Sequence, residues 1–134
     1  MILVDTSVWI DYFNGIRNWQ TDALDAALLE DWVLTGDIIL AEILQGFDRD
    51  ADFHKARQAL DCLECIRLGG KGMAIESATH YRHLRSQGVT VRKTVDMLIV
   101  SYCIRTGTTL LHSDNDFERI AQQLPLSTVA PHTG

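Results

Sequence analysis

Short apolar runs of strand length alternate with helical patterns along this chain, and that alternation restricts the folds open to it. Residues 2–4 (ILV), 32–34 (WVL), 64–68 and 108–112 (TTLLH) are the β-type segments, with 127–130 a candidate fifth. Thr6 or Ser7 can cap a first helix through about Asn14, with Gly15 as its stop signal. A second helical pattern covers 21–31. A third runs from an Asp37 cap to about Gln45 and closes at Gly46. A fourth fits 50–63, where Phe53, Ala56, Leu60 and Leu63 recur at helical spacing. Longer helices cover 72–87, ending at Gly88, and 95–106, ending at Gly107; a last one runs from Asp114 to about Leu124. Both prolines, Pro125 and Pro131, fall in the last ten residues, so no proline break interrupts this pattern. Strands separated by helices predict an α/β, three-layer fold: a central parallel sheet of four to five short strands flanked by helices, in a single domain spanning 1–134. Ligands of such folds sit beyond the carboxyl ends of the strands.

At 134 residues the chain is long enough to bury a core without help from disulfides or a structural metal. Three cysteines make an odd count, which suits a reducing compartment better than a disulfide framework. The start, MILVDTSVW, lacks the basic and apolar regions of a signal peptide, and no stretch approaches a membrane span. A cytoplasmic location without a membrane partner is the expectation. The formal charge of −6, from 18 acidic and 12 basic side chains, runs against simple phosphate binding. Carboxylates converging on divalent cations remove that objection, since two Mg²⁺ ions offset four charges.

The acidic residues are placed suggestively. Asp5 follows ILV and Asp114 follows TTLLHS, so both fall at carboxyl ends of predicted strands, where ligands bind. Each can equally serve as a helix N-cap. Glu42 shares an apolar helix stripe with Ile38 and Ile39 and therefore needs a partner, either an Arg or Lys or a metal. Asp96 opens the apolar helix TVDMLIVSYCI, where it can serve the helix dipole or face a cation at a buried helix end. Asp116 is a fifth candidate, acting directly or through water. An oxygen-only ligand set favours Mg²⁺ or Mn²⁺ over zinc.

Other chemistries find less support. LGGKG at 68–72 lacks P-loop spacing, and no GxSxG elbow occurs. A dehalogenase-type phosphatase requires an acid where Ser7 stands. Cys62 and Cys65 with His80 and His83 imitate a zinc set, but the H-x2-H gap is short for a zinc finger. The cysteines read as packing residues. Arg82, Arg85, Arg92 and Lys93 form the densest basic stretch, either a surface that guides a phosphate-bearing substrate or a solvated face. The aromatic group Trp9, Tyr12, Phe13 and Trp19 reads either as core or as a groove for a partner helix.

With these residues in view, the chain resembles the PIN-domain family, in particular the VapC toxins of bacterial toxin–antitoxin pairs. The resemblance rests on ILVDTSVWIDYFNG, IILAEILQG, YRHLRSQGVTV, TVDMLIVSYCI and LLHSDNDFERIA, in that order, over nearly the whole length. It implies a metal-dependent endoribonuclease with Asp5, Glu42 and Asp96 as the first three acidic ligands and Asp114, or alternatively Asp116, as the fourth. Thr6 matches a hydroxyl that helps hold the site. The implied substrate is tRNA or ribosomal RNA, the implied partners a VapB-type antitoxin and a second copy of the chain. His112 departs from the resemblance, which leads one to expect Thr there. Two rival functions remain: another metal-dependent phosphoryl hydrolase, or a non-catalytic RNA- or protein-binding module on the same fold.

Overall fold

The computed structural model describes residues 1–131, so the last three residues of the expected 1–134 domain lie outside the described region. The elements follow in the order β1 (Ile2–Val4), α1 (Thr6–Phe13), α2 (Trp19–Leu29), β2 (Val33–Gly36), α3 (Asp37–Gln45) and α4 (Asp50–Asp61). Then come β3 (Glu64–Ile66), α5 (Lys71–Ser86), α6 (Thr94–Thr106), β4 (Thr109–Leu111) and α7 (Asn115–Ala121). The four strands form one parallel sheet in the order β3-β2-β1-β4. Leu3 pairs with Leu34 on one side and Leu110 on the other, and Leu34 with Glu64. The chain builds outward from β1 through β2 to β3, then returns to place β4 on the other flank of β1. The reversal between β1 and β4 is the topological switch point, where open α/β sheets bind ligands.

Burial explains why the inner strands are apolar throughout. Successive strand side chains point to opposite faces. Leu3 and Val4, and likewise Leu110 and Leu111, are all fully buried, so both faces of the inner sheet are covered. Ile39, Leu24, Ile99, Val100, Phe117 and Ile120 supply much of that cover from the helices. The edge strand β3 keeps Glu64 and Cys65 exposed. A fifth strand does not form. Segment 127–130 contributes an isolated bridge from Thr128 to Leu110, held by Leu110 N–H to Ser127 O and Val129 N–H to Leu110 O.

Several helix ends differ from the sequence expectation, each for a local reason. Asp5, rather than Thr6 or Ser7, caps α1, because its carboxylate accepts the Ser7 N–H. Gly36, rather than Asp37, occupies the cap position of α3. Asp37 instead accepts the N–H groups of Ile38 (2.8 Å) and Leu68 (2.9 Å), which ties the chain beyond β3 to α3. Helix α2 begins at Trp19, two residues early, because Asn18 and Thr21 form a reciprocal capping box. Helix α7 stops at Ala121, short of Leu124. Among the cysteines only Cys103 is a packing residue; Cys62 and Cys65 are exposed.

Candidate active site

The carboxyl edge of the sheet gathers acids from four separate elements. Asp5 lies one residue past β1, and its N–H donates to Leu111 O at 2.9 Å, joining the ends of β1 and β4. Its Oδ2 accepts from Ser7 N (3.3 Å) and Ser7 Oγ (2.6 Å), so the D-x-S turn fixes the carboxylate while leaving Oδ1 without a donor among the described residues. Beside it, Thr6 Oγ1 donates to Glu42 Oε1 at 2.8 Å. That hydroxyl, from α1, is the partner the apolar stripe of α3 requires for Glu42; no Arg or Lys pairs with it among the described residues. Asp114 caps α7, accepting Asp116 N–H at 2.9 Å. Asp116 turns away to Arg119, with Oδ1 to Nη2 at 2.7 Å.

Asp96 shows that these acids share a field. It stands in the first turn of α6 and is only 7% exposed, as is Asp5. Burial first, then the charge of Asp5, raises its carboxyl to about 7 against the pull of Lys93, with Asp114 and Glu42 adding to the rise. A buried acid among three others is costly to ionise without a cation. Asp116 is absent from that field, and the ion pair with Arg119 accounts for its direction. The four converging acids offer hard oxygen donors only, which suits Mg²⁺ or Mn²⁺. Among the described residues no three His, Cys, Asp or Glu side chains close tightly enough to enclose an ion by themselves. An ion held here would take one or two of these carboxylates directly and keep several waters, a coordination that Mg²⁺ favours.

The basic candidates divide. Lys93, immediately before α6, lies close enough to act on Asp96. Arg92 is exposed beside it. Arg82 and Arg85 are exposed on α5, where the Arg85 guanidinium sits 5.7 Å from the Tyr81 ring centroid. Trp9 is core, whereas Tyr12, Phe13 and Trp19 are half-buried. The zinc-like residues scatter: His80 bonds Ser101 at 2.9 Å, while Cys62, Cys65 and His83 are exposed. Sequence reasoning missed the site's supporting pair. His112 Nδ1 accepts the Asp114 N–H at 3.2 Å, which leaves Nε2 to donate to Glu118 at 2.9 Å. Helical phase puts Glu118 on the turn after Asp114, but only the fold buries His112 between them.

The PIN domain family profile matches residues 2–123. The chain is 31% identical over 124 residues to the VapC ribonuclease Mb1587 of Mycobacterium bovis, covering 91% of this chain and 92% of that one. Its fold is similar to that of VapBC2 from Rickettsia felis, solved bound to a DNA fragment from their promoter (TM-score 0.74, 19% identity, 96% and 98% coverage). It is also similar to a toxin–antitoxin complex from Klebsiella pneumoniae (TM-score 0.68, 24% identity, 98% of each chain). A profile spanning almost the whole chain, a relative of equal length and a parallel sheet with acids gathered at its carboxyl edge agree: this chain belongs to the PIN-domain family, in its VapC-type branch.

Proposed function

We propose that this protein is a metal-dependent endoribonuclease toxin that hydrolyses phosphodiester bonds in tRNA or ribosomal RNA. The observation that carries the reading is the field around Asp96, where Asp5, Asp114 and Glu42 all act on one buried carboxyl. Asp5, Glu42, Asp96 and Asp114 would hold Mg²⁺ or Mn²⁺, one or two of them directly and the rest through its waters, with Asp116 reserved for Arg119. A cation held there would supply charge to stabilise the leaving oxygen and would lower the pKa of the attacking water. The chain's own residues set the geometry. Ser7 orients Asp5, Thr6 orients Glu42, and the His112–Glu118 pair holds the loop that carries Asp114. Lys93 and Arg92 guide the RNA backbone towards that edge, with Arg82 and Arg85 extending the basic surface along α5. A VapB-type antitoxin is the expected inhibitor. The named relative is a ribonuclease, and the similar Klebsiella pneumoniae structure is a toxin–antitoxin complex. A homodimer working in the cytoplasm completes the reading; none of the described helices is long and apolar enough to cross a membrane.

The test is cleavage of total tRNA and ribosomal RNA by purified protein with Mg²⁺ or Mn²⁺, with EDTA, and by Asp5→Asn. An amide oxygen can still accept the Ser7 N–H, so Asp5→Asn should fold while cleavage falls to background. Discrete fragments that require both metal and Asp5 are the expected result. Full activity of a folded Asp5→Asn protein, or fragments formed equally in EDTA, would refute the assignment.

A further inference from the structure

A cavity of about 330 Å³ opens at Asp114, its one member from the four-carboxylate site. Trp19 and Gln20 line it from α2, Ser113, Asn115 and Glu118 from the segment after β4 and from α7, and segment 128–131 completes it. Its parts are held in place by different means. The Asn18–Thr21 capping box fixes the first turn of α2 and so presents Trp19 and Gln20. The bond from His112 to Glu118 Oε1 fixes that carboxylate and leaves Oε2 without a donor among the described residues. The side chains of Gln20, Ser113 and Asn115 likewise make no hydrogen bond to described residues, so their donors and acceptors are available to a ligand.

The lining combines an indole, an imidazole, two amides, two hydroxyls and two carboxylates, with no Lys or Arg. That chemistry repels a phosphate but suits a nucleobase. An indole offers a stacking surface to any base, side-chain amides read base edges, and a carboxylate accepts from an exocyclic amine. We propose that this cavity is a base-reading subsite for the nucleotide beside the scissile phosphate, stacking that base on Trp19 and preferring adenine or cytosine to uracil. Glu118 sets the preference, because an ionised carboxylate pairs with the N6 or N4 amine but opposes the O4 of uracil. The inference rests on the ribonuclease reading of Asp114 and gives that reading a sequence preference.

The test uses Asp5→Asn protein with Mg²⁺ and end-labelled short adenylate, cytidylate and uridylate homopolymers, with affinity measured by fluorescence anisotropy. Adenylate and cytidylate should bind at least about fivefold more tightly than uridylate. Adding Trp19→Ala should weaken binding to the preferred homopolymers by roughly 5- to 150-fold, whereas Trp19→Phe, which keeps an aromatic face, retains most of it. Adding Glu118→Gln, whose amide can donate to uracil, should narrow the gap between the homopolymers. Wild-type cleavage sites should lie beside adenine or cytosine. Equal affinity for the three homopolymers overturns the subsite, as does unchanged affinity in a Trp19→Ala protein with native circular dichroism; in both cases metal-dependent cleavage by wild type leaves the ribonuclease reading standing. Absence of any such cleavage overturns both.

Discussion

At the scale of single residues, Asp96 links the site to stability. In the unfolded chain its carboxyl ionises near 3.8; in the folded protein burial and the neighbouring acids hold the proton until about 7. Between those values the folded state binds the extra proton, so this group's contribution favours folding below the window and is lost as pH rises through it. In EDTA, wild-type unfolding free energy measured by urea titration should therefore decline from pH 5 to pH 8 more steeply than that of Asp96→Asn. Added Mg²⁺ should recover the loss at pH 8 in wild type and not in the variant. Parallel pH profiles for the two proteins would show that Asp96 is not the group responsible. The sequence marks Glu42 and Asp96 as acids that need partners, because an ionised side chain on an apolar stripe or a buried helix end cannot be left bare. It does not reveal which partner each finds. Glu42 meets the Thr6 hydroxyl rather than a cationic side chain, since residues 36 apart in sequence touch only after α1 and α3 pack.

Among the elements, the junction of β2, α3 and the chain beyond β3 is closely packed at Gly36. An added methyl at Gly36 would lie 2.6 Å from Leu68 Cδ1, and Leu68 is fully buried, so the side chain has little room to withdraw. Gly36→Ala should destabilise the protein by about 1–3 kcal/mol through overpacking. Combining it with Leu68→Ala should restore part of that loss, giving a favourable coupling in a double-mutant cycle. Strict additivity of the two changes would place the strain elsewhere. Glycine at this site reads from sequence only as punctuation between a strand and a helix, and its packing role depends on β3 aligning beside β2. The capping errors share one origin. Asp, Ser, Thr and Asn all cap well, so a run such as DTS identifies a helix start without choosing its cap. Segment 127–130 had the composition of a strand, but its contact with β4 is a single bridge at Thr128.

For the molecule as a whole, a net charge of −6 and an RNA substrate coexist only if the cations are placed locally. Arg92 and Lys93 lead into α6, the helix that carries Asp96. Arg92→Glu should weaken RNA binding and reduce the slope of log affinity against log salt by about 0.7, the value for one phosphate contact on a single strand. An unchanged slope would remove Arg92 from the RNA path. The alternation of strand and helix, the parallel sheet and the acids at strand ends were all readable from local pattern, because periodicity and capping depend on neighbours a few residues away. The arrangement of β4 beside β1 was not, since parallel strands pair across long crossovers whose order no local signal encodes. That pairing brings Asp5 and Asp114, from opposite ends of the chain, to one switch point, and the packing of α6 against the sheet adds Asp96. Local chemistry thus specified the acids and their strands, whereas their shared field, the withdrawal of Asp116 to Arg119 and the cavity against Trp19 arise from contacts that exist only once the layers have closed.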